Sequence, residues 1–147
     1  MVSETSVSRS IVIESIPMAI KAPSQDILSE LRRQNFSDED AFAVRLALQE
    51  AFMNAVEHGN DMDSQKHITV DYVVCADRIE ISLTDEGAGF DPTSVPDPRC
   101  GKNLYKVDGR GLLLIRSYMD VVEYNERGNR IRMIRYKEKP RVTAEPD

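Results

Sequence analysis

Tryptophan is absent from the 147-residue chain, and aromatic residues make up only 6% of it. A core built from this sequence is therefore mainly aliphatic. Cysteine is scarce too: Cys75 and Cys100 alone cannot build a disulfide scaffold. The N-terminus MVSETSVSRS lacks a basic start followed by an apolar run, so it does not read as a secretory signal. The expectation is a cytoplasmic protein with reduced thiols. No stretch approaches 18 uncharged apolar residues, which excludes a membrane-spanning helix. Positive charge is in deficit: the net charge is −6 and the pI about 5.0. That argues against direct nucleic-acid binding through a broad basic face. No GxxxxGK[ST] occurs, so the P-loop is excluded. Neither glycine pair extends to GxGxxG, which removes the dinucleotide fingerprint and the eukaryotic kinase loop. His58 and His67 with two distant cysteines do not make a zinc set.

What is present fits one globular domain: 41% apolar and 30% charged residues over a chain of this length. Residues 1–9 are polar and read as loose. SIVIESI (10–16) reads as a strand ended by Pro17. Ser24 is a candidate cap for a helix over 25–34. Ser37 and Asp40 form a capping-box pattern for a helix that continues to about Glu57, with Gly59 as its left-handed terminator. HITVDYVV (67–74) and RIEISLTD (78–85) alternate apolar and polar residues around a tight turn, as an antiparallel hairpin does. Residues 111–120 read as a helix, followed by two strands around Gly128-Asn129. Residues 138–147 read as a flexible tail. The order predicts an α+β two-layer sandwich, with helices on one face of a mixed, largely antiparallel sheet.

Three segments depart from this plain pattern. The helix after Asp40 is apolar around most of its circumference, yet carries Glu50 and Asn54 at i, i+4, on one face. Either these groups have partners or they lie on a helix edge that reaches water. The second segment is Asp85-Glu86-Gly87-Ala88-Gly89-Phe90, directly after a strand. Two glycines at i, i+2 let backbone approach a ligand, and the carboxylate can accept from a ligand amine; a glycine-rich turn is the simpler account. The third is Gly109-Arg110-Gly111-Leu112, which opens a helix. Free N–H groups there, beside a guanidinium, suit a phosphate. Between the second and third segments, residues 86–111 hold five of the seven glycines and three of the seven prolines, the composition of a functional loop or lid.

Singly these signals are weak; their order is specific. Glu-x-x-x-Asn-Ala-x-x-His-Gly (50–59), Asp-x-Gly-x-Gly-Phe (85–90) and Gly-x-Gly-Leu-x-Leu-Ile (109–115) together resemble the nucleotide-binding boxes of the GHKL ATPase superfamily. Within it, the chain is most similar to the anti-sigma-factor serine/threonine kinases of bacterial partner-switching systems, over residues 10–137. The resemblance implies a Bergerat-type ATP-binding kinase domain with a lid over about 91–108. It implies ATP and Mg²⁺ as cofactors, with Asn54 as the metal ligand and Glu50 as the catalytic base. Asp85 would receive the adenine amino group, Gly87 and Gly89 would make room for the base and ribose, and Phe90 belongs to the same ATP-binding motif. Gly109, Arg110, Gly111 and Leu112 would wrap the phosphates. His58 reads as a structural or ATP-adjacent group ending the helix, and is kept with the ATP-binding candidates. The implied partners are an anti-anti-sigma protein as phosphoacceptor and a sigma factor that the kinase sequesters, and the resemblance also implies a homodimer. The alternative is an ATP-binding regulatory module that sequesters a partner with little or no transfer. One feature departs from the pattern: many relatives place Thr at the start of the final strand to support the adenine-binding Asp, whereas here Arg130 follows Gly128-Asn129. Thr84, next to Asp85, is a candidate substitute.

Overall fold

In the computed structural model, residues 6–87 and 109–138 are described. Strand β1 (Val7–Glu14) begins three residues before the expected start and is closed before Pro17. Its early residues are held by long-range pairing, Val7 opposite Val74 and Arg9 opposite Tyr72, which local composition does not signal. A short 3₁₀ turn (Pro17–Ile20) runs straight into helix α1 (Lys21–Arg33). The helix therefore starts upstream of Ser24. Pro17, with its fixed φ, opens the turn, and no side chain caps the junction.

Helix α2 (Asp38–Asn54) starts as its sequence predicts. Ser37 Oγ accepts from Asp40 N at 3.0 Å, and Asp40 Oδ2 accepts from Ser37 N at 3.3 Å. Strands β2 (His67–Val74) and β3 (Arg78–Thr84) form the expected antiparallel hairpin. Helix α3 (Gly109–Tyr118) begins two residues before expectation, so Gly109 and Gly111 lie within its first turn. Strands β4 (Val121–Tyr124) and β5 (Arg130–Tyr136) flank Gly128, whose φ of 81° requires a residue without Cβ strain.

The five strands lie in the order β1-β2-β3-β5-β4, and all four neighbouring pairs are antiparallel. No parallel pair joins them among the described residues. The alternation in β2 and β3 buries Ile68, Val70, Tyr72 and Val74 with Ile79, Ile81 and Leu83. Against them pack Ile27 and Leu31 from α1, Val44, Leu48 and Phe52 from α2, and Ile115 from α3. Burial of this kind stabilises by about 25 cal/mol per Å² of apolar surface. The helices thus cover one face only. The other face carries a charged ladder in which Glu80 accepts from Arg78 at 3.1 Å and Arg132 at 3.3 Å, and Glu123 accepts from Arg132 at 3.0 Å. No helix among the described residues is long and apolar enough to cross a membrane.

Candidate functional site

Helix α2 supplies the first group of residues. Its buried stripe (Ala43, Val44, Ala47, Leu48, Ala51, Phe52) anchors the helix to the sheet, and Glu50 and Asn54 flank that stripe half-buried. Neither side chain makes a hydrogen bond among the described residues. The α-helical pattern ends at Asn54, earlier than expected, and widens into a π-helical turn (Ala55–Gly59). The Asn60 N–H reaches back to Ala55 O at 2.7 Å and the Met62 N–H to Val56 O at 2.8 Å. Such widened turns gather at functional sites. Gly59 does not provide the expected left-handed turn: positive φ falls instead on Asp61 (58°) and Met62 (62°). Gly59 serves a different purpose. A Cβ there would overlap the Asp85 carboxylate, which packs directly on its backbone. His58 is exposed, with Nε2 at 3.7 Å from Glu57 Oε1.

The end of β3 supplies the second group. Gly87 lies against the carbonyl of Gly59, and a Cβ at Gly87 would overlap that oxygen. The first and second motifs therefore touch backbone to backbone. The Asp85 carboxylate accepts from Gly87 N–H at 2.8 Å. Burial raises its pKa above the ordinary value; the Gly87 N–H, Lys66 and Arg127 act in the opposite direction. The Asp85 main chain is clamped by Asn129: Asp85 N–H donates to Asn129 O at 2.9 Å, and Asn129 Nδ2 donates to Asp85 O at 3.3 Å. Asn129 is itself fixed by Asn125, whose Nδ2 donates to Asn129 Oδ1 at 2.9 Å and whose Oδ1 accepts from the Gly128 and Asn129 N–H groups at 2.8 and 3.1 Å. Thr84 does not support Asp85: its Oγ1 is buried without a hydrogen-bond partner among the described residues. Asn129 takes the supporting position, although local sequence marks it only as a turn residue. Asn60, which lies outside the three motifs, is fully buried and accepts from Glu86 N–H at 2.7 Å. An amide placed one residue past the His58-Gly59 pair was the available signal.

Helix α3 supplies the third group and packs on α2. Gly109, Arg110 and Gly111 form its first turn, where N–H groups have no intrahelical acceptor, and Leu112 is half-buried. Gly89, Phe90 and the expected lid over 91–108 lie outside the described residues. Among the described residues no group of three or more His, Cys, Asp or Glu side chains could hold a metal. A Mg²⁺ ion asks less of the protein, since it keeps several waters and takes one or two protein oxygens beside phosphates. The half-buried Asn54 amide oxygen fits that demand.

Comparison with known proteins identifies the family and the fold. Residues 17–135 match the histidine kinase-like ATPase domain family. The serine-protein kinase RsbW of Listeria monocytogenes is 30% identical over 111 residues, covering 71% of each chain. The serine-protein kinase RsbW of Oceanobacillus iheyensis is 30% identical over 122 residues, covering 78% of this chain and 77% of that protein. Among solved structures, the RsbU and RsbW domains of a Mycobacterium tuberculosis protein superpose with a TM-score of 0.61 at 16% identity. That match covers 90% of this chain and 33% of the longer one, and it bears on the fold alone. The chain belongs to the histidine kinase-like ATPase domain family, as a relative of the RsbW serine-protein kinases.

Proposed function

We propose that the chain is an ATP-dependent protein serine/threonine kinase that acts as an anti-sigma factor, phosphorylating a small anti-anti-sigma protein and sequestering a sigma factor. The observation that carries this reading is the packing of Asp85 and Gly87 onto Gly59. It sets the half-buried Asp85 carboxylate against Gly59, five residues along the chain from Asn54, at the end of the helix that also holds Glu50. When bound, Mg·ATP supplies the phosphoryl group and neutralises its charge. Asp85 accepts from the adenine amino group, and Gly87 leaves room for the base. Asn54 gives the metal one amide oxygen. The N–H groups at the start of α3, with Arg110, take the phosphates. Glu50, one helical turn from Asn54, takes the proton from the acceptor hydroxyl. Phosphoryl transfer depends chiefly on positioning and charge neutralisation, so few protein groups suffice.

The test is incubation with labelled ATP, Mg²⁺ and small single-domain candidate acceptors. Phosphoserine or phosphothreonine in an acceptor is the expected result; tight ATP binding without transfer would favour a sequestering module instead. Glu50→Gln is expected to keep nucleotide binding and to lose transfer by roughly 10²–10⁴-fold. Asn54→Ala is expected to lose Mg²⁺-dependent ATP binding. Normal transfer by Glu50→Gln would remove Glu50 from the role of base.

A further inference from the structure

Asn60 is fully buried, and its side chain joins three strand ends. Nδ2 donates to Ser15 Oγ at 3.0 Å, just beyond β1, and to the carbonyl of His67 at 3.1 Å, at the start of β2. Oδ1 accepts from Glu86 N–H at 2.7 Å, just beyond β3. The orientation of the amide is dictated by its partners. The His67 carbonyl can only accept and the Glu86 N–H can only donate, so the amide has one satisfiable setting. The main chain of Asn60 is held as well, by its N–H bond to Ala55 O at the end of the π-helical turn.

The Asp85–Glu86 peptide unit is therefore pinned at both of its polar atoms by side-chain amides: its oxygen by Asn129 Nδ2 and its N–H by Asn60 Oδ1. The Asn60 bond is the shorter of the two, 2.7 Å against 3.3 Å. Fixing this peptide plane constrains ψ of Asp85 and φ of Glu86, at the base of the turn in which Gly87 N–H donates to the Asp85 carboxylate at 2.8 Å. We propose that Asn60 is a positioning residue for base recognition: through Glu86 N–H it aims the Asp85 carboxylate at the exocyclic amine of the base and so sets the preference for an amino-purine over an oxo-purine nucleotide. The proposal rests on the assignment of Asp85 as the adenine acceptor.

The experiment titrates the full chain with Mg·ATP and Mg·ITP, the latter carrying oxygen where ATP carries the amine. The wild-type protein is expected to prefer ATP by roughly tenfold or more, the worth of one hydrogen bond to a charged group. In Asn60→Ala the preference is expected to shrink to about threefold or less, because ATP loses affinity and ITP does not. Asn60→Asp keeps an acceptor for Glu86 N–H and gives up the donated bonds, so it is expected to retain the preference at a lower Tm. Hydrogen exchange at the Glu86 amide, measured on the wild-type protein, is expected to be slow.

The outcomes separate. A wild-type protein that binds both nucleotides equally, or neither, overturns the Asp85 assignment and the proposal with it. A wild-type preference that survives unchanged in folded Asn60→Ala, with both affinities lowered by one factor, leaves Asp85 in place and overturns the role of Asn60. If Asn60→Ala does not fold, loss of the preference in Asn60→Asp, or rapid exchange at Glu86 in the wild-type protein, overturns it equally.

Discussion

At Asp85 stability and function pull in opposite directions. Burial raises its pKa, and the Gly87 N–H, Lys66 and Arg127 oppose the rise without cancelling it. A carboxyl whose folded pKa lies above its unfolded value favours the fold below the unfolded pKa, and that contribution is lost as pH rises through the folded pKa. At neutral pH the ionised Asp85 therefore weakens the free protein. Asp85→Asn keeps the shape and removes the charge, so its Tm at pH 7 is expected to exceed that of the wild type. The gain should shrink as pH falls toward the carboxylate range, where the wild-type group takes up its proton. The same substitution is expected to weaken ATP binding roughly tenfold or more, since an acceptor for the adenine amine is lost. Thermal melts from pH 4 to 8, with ATP titrations, check both signs; a Tm that drops at pH 7 would mean that the charge is satisfied within the fold. A binding carboxylate kept at the expense of stability is the usual trade at a functional site.

Among the elements, the N-terminus of α2 shows how far local sequence reaches. The Ser37–Asp40 box was legible because both partners lie within one turn, and the β2–β3 hairpin because its alternation is local. The second duty of Asp40 was not legible. Its fully buried carboxylate also accepts from Arg135 Nε at 2.8 Å and from Glu138 N–H at 3.2 Å, and Arg135 in turn donates to Tyr118 O at 2.7 Å. These bonds tie α2, β5 and the end of α3 together across sequence separations of 95 and 17 residues. The same reason hid Asn60, whose partners Ser15 and Glu86 lie 45 and 26 positions away. The early start of α1 escaped for a different reason: the turn at Pro17 merges into the helix and overrides Ser24. Asp40→Ala is expected to cost about 3–5 kcal/mol, because it leaves the mostly buried Arg135 guanidinium without its countercharge. Ser37→Ala removes only the cap and is expected to cost about 1 kcal/mol. Urea unfolding of the two variants separates these effects; equal losses would show that the cap, and not the ion pair, anchors this corner.

Across the whole molecule, the three motifs lie on elements joined by one core: α2 and α3 pack on each other, and α2 packs on β3 and β5. The order and spacing of the motifs indicated the family, but only the tertiary contact between Gly59, Asp85 and Gly87 brings two of them to one place. A ligand that bridges these elements binds the folded chain and not the unfolded one, so it must raise the stability of the whole by linkage. At a hundredfold excess over its Kd the gain is about 2.7 kcal/mol. For a chain of this size that corresponds to a Tm increase of about 5–10 °C. Mg·ATP is expected to produce this shift in the wild type and in Glu50→Gln, which alters the proposed base and leaves the binding groups. Chelation of Mg²⁺ with EDTA is expected to remove most of it. In Asn54→Ala the shift should be small with or without EDTA, because the amide oxygen that would hold the metal is gone. A full ATP shift in EDTA, or a full Mg²⁺-dependent shift in Asn54→Ala, would place the metal elsewhere than on α2 and separate the phosphate site from the helix that carries Glu50.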